Sequence, residues 1–173
     1  MQAVPRNKAQ GIIFGILMSI TMAYGMEVYN VAWKMGFPTM PGGFSNMTND
    51  VFLDALLEAA YMWIFVFIFS NLWGNRLGAK LSSKLVDPSR DNAFLCTIAR
   101  SSCTVLVMCP TMSLVASILF NVILAGGSPI QLPAIWVGTL LKNFPMALLW
   151  NLFAAGPASR WAFARFFSHV GEK

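Results

Sequence analysis

The side chains able to do chemistry in this sequence are few, and they sit inside its most apolar stretches. Lys142 and Asn143 lie in "TLLKNFPMALLW", Glu27 and Asn30 in "GMEVYN", Asp54 and Glu58 in "LDALLEAA", and Asn121 in "SILFNVIL". A charge in hydrocarbon costs several kcal/mol, so such a group faces a partner, water or a ligand. Asp54 and Glu58 stand four residues apart and share a helix face. Counted along helices from their outer ends, Lys142 lies ~13 Å deep and Glu27 ~9 Å deep, with Glu58 at a similar depth. These groups converge on the outer half of an apolar slab. Three carboxylates (Glu27, Asp54, Glu58) against one lysine favour a cationic ligand or a proton relay. The competing reading is structural: Lys142 clasps Glu27 or Glu58, and Asp54 and Glu58 are wetted at the interface. Both readings stay open on the sequence.

Other chemistry is sparse. Met18, Met22 and Met26 form a row at spacing four. Thioethers suit Cu(I), but methionine also fills irregular gaps between packed helices. Cys96, Cys103 and Cys109 contain no CxxC pair and read as small packing residues. The one histidine, His169, argues against a multi-histidine metal site within one chain. There is no glycine-rich phosphate loop, no GxSxG and no HExxH. No cofactor is expected, and the chain is not expected to be an enzyme.

The elements that position these groups follow from composition. Of 173 residues, 57% are hydrophobic and 11% charged, where a soluble domain carries about 25% charged residues. So short a chain cannot bury that much apolar surface in one aqueous core, so the excess must face lipid. Four apolar runs, roughly 11–33, 53–74, 101–125 and 133–155, each approach the ~20 residues that cross a bilayer. The first run is long and lacks a small-residue cleavage site before "MEVYNVAWK", so it reads as a retained helix. Arg6 and Lys8 precede the first run. Arg76, Lys80, Lys84, Arg90 and Arg100 lie between the second and third. Arg160, Arg165 and Lys173 follow the fourth. The positive-inside rule then places both termini in the cytoplasm. The expected partner is the lipid bilayer, with no nucleic acid; Trp161, Phe163, Phe166 and Phe167 beside the C-terminal basic residues suit an interfacial helix.

The chain reads as one hairpin written twice. A shift of 94 carries Arg6 to Arg100, Met18-Ser19 to Met112-Ser113 and Glu27 to Asn121. A shift of 80 carries Asn71-Leu72 to Asn151-Leu152 and Lys80 to Arg160. The expected fold is all-α and integral to the membrane, with four transmembrane helices in two parallel-repeated hairpins, 1–86 and 87–173. Their pseudo-two-fold axis would lie along the membrane normal. Asp87-Pro88 reads as the start of the third helix, and Pro110 as a kink. Gly11, Gly15, Ser19 and Ala23 on the first helix, and Cys109, Ser113 and Ser117 on the third, form small-residue stripes. Such stripes let backbones approach, either between these two helices or toward other subunits.

"MSITMAYGMEVYN" and "LLKNFPMALLWNLFAAGP" resemble a bacterial family of two-helix membrane proteins catalogued as domain of unknown function 2798, often in tandem. Its features are similar to Glu27-Val28-Tyr29-Asn30, Lys142-Asn143-Phe144-Pro145 and Gly156-Pro157 here. The first copy has Met62-Trp63-Ile64-Phe65 where the second has the lysine element, and the second has Asn121 where the first has Glu27. One intact charge in each copy points to complementing halves. The resemblance supports the topology and brings no activity. The expected function is transport of a small cationic or amphipathic solute by a homo-oligomer. The alternative is a non-transporting accessory subunit or scaffold with a structural Glu–Lys pair.

Overall fold

In a computed structural model the structure describes residues 7–167. Arg6 and Lys173, used above for topology, and His169 lie outside the described residues. The described chain is helical without strands. Helix α1 runs Lys8–Lys34 and α2 runs Asp50–Phe69; α3 is Asn75–Ser82 and α4 is Ala93–Ala116; α5 is Leu132–Trp150 and α6 is Gly156–Phe167. Wide π-helical segments, Ser70–Gly74, Ser117–Leu124 and Asn151–Ala155, continue α2, α4 and α5. Joined in this way, four helices are long and apolar enough to cross a membrane: Lys8–Lys34, Asp50–Ser82, Ala93–Leu124 and Pro129–Phe167. The four apolar runs of the sequence all fall on them. Large side chains such as Leu53, Leu57, Ile123, Leu141 and Phe153 stand exposed on these spans. So much exposed apolar surface is consistent with a multi-pass membrane protein.

The chain divides into two compact units, and the second and fourth spans each contribute to both. The first unit holds residues 1–67 and 153–173. Asn7 caps α1 by accepting the Gln10 amide at 2.8 Å. At the loop end of this hairpin, Val31 and Ala32 of α1 meet Phe37 of the loop and Val51 and Ala55 of α2, with Met35 and Met47 packed around them. The loop folds back this tightly because Gly36 and Gly42 take φ of 83° and 90°, where other residues are strained. At the other end, Phe163 of α6 meets Phe14 of α1 edge-on at 5.7 Å, and Thr21 and Ser159 share a hydrogen bond of 2.9 Å. That pairing satisfies two hydroxyls where lipid offers no partner.

The second unit holds residues 68–152, with α4 at its centre. Its basic-end neighbour is α3, which approaches through glycines. A Cβ on Gly78 would stand 2.9 Å from the Thr104 Cα, and one on Gly74 would stand 2.3 Å from the Met108 sulfur. Its other neighbour is α5, where Trp136 donates its indole N–H to the Pro110 carbonyl at 2.9 Å. Cys109, Ser113 and Ser117 are buried along α4. Ser117 donates to the Ser113 carbonyl at 2.7 Å, and its oxygen lies 3.4 Å from Thr139 on α5. Within this unit the serine stripe of the third span therefore meets the fourth. All three cysteines are free thiols, with Cys103 and Cys109 buried as packing residues would be.

The third span begins later than the sequence implies. Asn92, not Asp87, caps it, accepting the Phe94 amide at 2.9 Å. Asp87 is occupied by a local turn: its carboxylate accepts the Ser89 amide at 2.9 Å and the Ser89 hydroxyl at 2.7 Å. The Asp91 carboxylate in turn accepts the Asp87 amide at 2.7 Å. A side chain that bonds two residues ahead builds an Asx-type turn in place of a helix cap. The two Ser89 bonds hold the Asp87 carboxyl below its ordinary value. A lowered folded pKa means that the turn is favoured above the unfolded pKa of about 3.9 and loses that support as pH falls through the folded value. In NMR titrations the Ser89 amide shift should follow this carboxyl with a midpoint below that of an unstructured aspartate. Asp87→Asn should abolish the pH-dependent movement.

Candidate functional site

Glu27 is the most deeply placed acid of the described chain, 3% exposed on α1. It belongs to a buried row at spacing four, Ser19, Ala23, Glu27 and Val31. The small residues of the first-helix stripe thus lead directly to a carboxylate. Gly15 lies on the same helix, where a Cβ would come within 3.3 Å of the Phe67 ring. Gly11, at the start of the stripe, is exposed with open space around it. Asn30 is half-buried, and its side-chain carbonyl accepts no hydrogen bond among the described residues.

Asp54 and Glu58 are half-buried on α2, one turn apart. Glu58 accepts a hydrogen bond from the Lys34 ammonium at 3.0 Å, with the lysine 69% and the glutamate 18% exposed. Lys34 is not among the polar groups that the apolar runs of the sequence bring forward. The signal was present: Lys34 ends α1 while Glu58 lies two turns into α2, so an antiparallel hairpin sets them at one level. This pair occupies the glutamate that the sequence offers to Lys142. Because its lysine is well solvated, Lys34→Gln should change stability by less than about 1 kcal/mol in thermal unfolding.

Asn121, Lys142 and Asn143 belong to the second unit. Asn121 lies half-buried in the π segment, where its backbone carbonyl accepts the Gly127 amide at 2.8 Å. Lys142 is half-buried on α5, and the neighbouring Asn143 is buried. The side-chain carbonyls of Asn143 and of Asn151, the first residue of the following π segment, accept no hydrogen bond among the described residues. Buried polar oxygens of this kind are costly unless water or a ligand reaches them. Sequence comparison used Asn151 only as a repeat marker; its burial inside a span could have marked it as a site residue. The structure therefore groups Glu27, Asn30, Asp54 and Glu58 in one unit and Asn121, Lys142 and Asn143 in the other.

Met18, Met22 and Met26 are half-buried along α1. Among the described residues no three His, Cys, Asp or Glu side chains group as metal ligands. What the arrangement offers chemically is a buried carboxylate and amide oxygens within membrane-length helices. These are acceptors for a proton, a cation or water.

Comparison with curated proteins and with solved structures gives no match. Residues 99–167, which span most of α4, all of α5 and α6, match the family model described as Domain of unknown function (DUF2798), the family that the sequence resembles.

Proposed function

We propose that this chain is a small transporter of a cationic or amphipathic solute, with Glu27 as the group that binds the solute or exchanges a proton for it. The observation that carries this reading is a carboxylate 3% exposed on a membrane-length helix. Ionisable residues in such positions commonly mark ion and proton paths. The acceptor oxygen of Asn30, in the same unit as Glu27, supports it, since a polar path for a solute needs such groups.

The proposed setting is a bacterial inner membrane with cytoplasmic termini, because the basic residues cluster at one end of the spans. The proposed architecture is a parallel repeat of two hairpins about a pseudo-two-fold axis. Two features support it. Each compact unit is assembled from corresponding parts: an odd-numbered span, the outer part of the span that follows it, and the basic end of the remaining span. In addition, the second and fourth spans carry π turns at corresponding places, Ser70–Gly74 and Asn151–Ala155. Four helices enclose little volume, so the transporter is proposed to work as a homo-oligomer, and we read it as a non-enzyme.

The test uses purified protein in liposomes with an imposed pH gradient and ethidium as a cationic amphipathic probe. Protein-containing vesicles should move ethidium faster than empty vesicles, with proton movement in the opposite direction. Equal rates in both preparations would remove the support for a carrier of this class. A scaffold or accessory role is the second reading. The Lys34–Glu58 pair favours it, because there an acid of the outer half joins two helices.

A further inference from the structure

A pocket of about 300 Å³ opens at the basic end of the second unit. Ser82 and Ser83 line it from the end of α3, Pro88 from the turn, and Cys96, Thr97 and Arg100 from the first turns of α4. It is small for a ligand site, where volumes run from roughly 300 Å³ upward. Arg100 makes no side-chain hydrogen bond or ion pair among the described residues. Lys80 and Lys84 lie on the neighbouring helix end and Arg90 in the turn, opposed by Asp87 and Asp91. Asp87 and Asp91 are hydrogen-bonded within the turn, and Asp87 also pairs with Arg90 at 4.0 Å. Lys80, Lys84 and Arg100 make no ion pair among the described residues.

The depth of the pocket narrows the choice of ligand. Arg100 stands seven residues into the third span, or ~10 Å from its start. That span exceeds the ~30 Å of a bilayer core by roughly 18 Å, so its first ~9 Å lie among head groups. The Arg100 backbone thus lies at the edge of the hydrocarbon, and a side chain of this length reaches the phosphates from there. Beside the pocket Leu85 is 71% and Phe94 72% exposed, with Leu81 and Leu95 also exposed. Polar lining beside an apolar skirt matches one molecule that is charged at one end and greasy at the other. The hydroxyls of Ser82, Ser83 and Thr97 now donate to carbonyls of their own helices, so Arg100 supplies the attraction and the hydroxyls tolerate a polar neighbour.

We propose that this pocket binds the phosphate of an anionic lipid head group, with Arg100 as the residue that holds it. A guanidinium offers two parallel N–H donors to two phosphate oxygens, and basic pockets between spans on the cytoplasmic side suit anionic head groups.

The test is native mass spectrometry of the full chain in neutral detergent, titrated with short-chain phosphatidylglycerol, with phosphatidylcholine of the same chain length, and with inorganic phosphate. Wild type should prefer phosphatidylglycerol to phosphatidylcholine by at least about tenfold, a difference of about 1.4 kcal/mol. Arg100→Gln should bring the preference to within about twofold, and Arg100→Lys should keep part of it. Lys84→Gln removes the same charge outside the pocket lining and should retain most of the preference. Ser83→Leu fills the pocket from an exposed position and should reduce binding without touching the core, which keeps the test decisive if Arg100→Gln does not fold. An unchanged preference in both Arg100→Gln and Ser83→Leu, or an equal loss in Lys84→Gln, would overturn the proposal. Inorganic phosphate displacing the lipid at equal concentration would overturn the lipid source and assign the pocket to free phosphate.

Discussion

Gly78→Ala should destabilise the protein by about 1–3 kcal/mol, although alanine is the better helix former. The added methyl would stand 2.9 Å from the Thr104 Cα and 2.4 Å from its hydroxyl oxygen. Rotating the threonine relieves the second contact but not the first, because the Cα belongs to the backbone of α4. The two helices must separate, and the loss of close packing is what the measurement reads. Gly74→Ala is the informative comparison. There the obstacle is the Met108 side chain, with its sulfur 2.3 Å and its Cγ 2.8 Å away, a side chain with three rotatable bonds. Its cost should be smaller, within about 1 kcal/mol. Gly138→Ala has nothing within 4 Å of the new methyl, and helix propensity alone should stabilise it by up to about 1 kcal/mol. Thermal unfolding in lipid nanodiscs should rank the variants Gly138→Ala, wild type, Gly74→Ala, Gly78→Ala from most to least stable. A Gly78→Ala protein as stable as wild type would mean that the two helices do not cross at this distance.

Glu27→Gln is expected to lower ethidium movement at least about tenfold, equivalent to about 1.4 kcal/mol on the barrier. Its unfolding temperature should stay close to that of wild type. Glutamine keeps the size and one carbonyl acceptor of glutamate but cannot ionise. A group that binds a cation or passes a proton loses that function with the charge. A structural charge behaves differently, since removing one partner of a buried pair costs about 3–5 kcal/mol through the charge left behind. The two readings therefore separate on two instruments. Lost transport with retained stability supports the carrier. Lost stability with ethidium movement retained in the folded fraction sinks it and supports the scaffold. Glu58→Gln serves as the control, because its carboxylate already has the Lys34 ammonium at 3.0 Å; it should alter neither measurement by more than about 1 kcal/mol.

Much of this molecule was legible in its sequence, for physical reasons that particular residues make plain. Membrane-length runs are a matter of local composition, and lipid demands that each run satisfy its own backbone as a helix. The runs expected from about 53 and 133 begin as helices within three residues of those positions, at Asp50 and Leu132. The burial of Ser113, Ser117, Cys103 and Cys109 followed from side-chain size. Local competition between similar signals was harder to resolve. Asp87-Pro88 read as the start of the third helix, but the Ser89 bonds engage Asp87 in a turn and Asn92 takes the cap.

Relations between distant residues lay beyond the sequence. Lys34 found Glu58, Thr21 found Ser159, and Trp136 found the Pro110 carbonyl, each across a gap that no helical period encodes. Gly78 looked like any glycine in a helix until Thr104 was placed against it. The pocket at Arg100 exists only because the end of α3 and the start of α4 come together. By itself the sequence determined that this is a chain of four membrane-length helices and which few polar groups lie within them, because hydropathy and capping act over one or two turns. The tertiary structure alone decided which of those groups meet within each unit, because side-chain pairing depends on where separate helices cross, and no local rule contains that information.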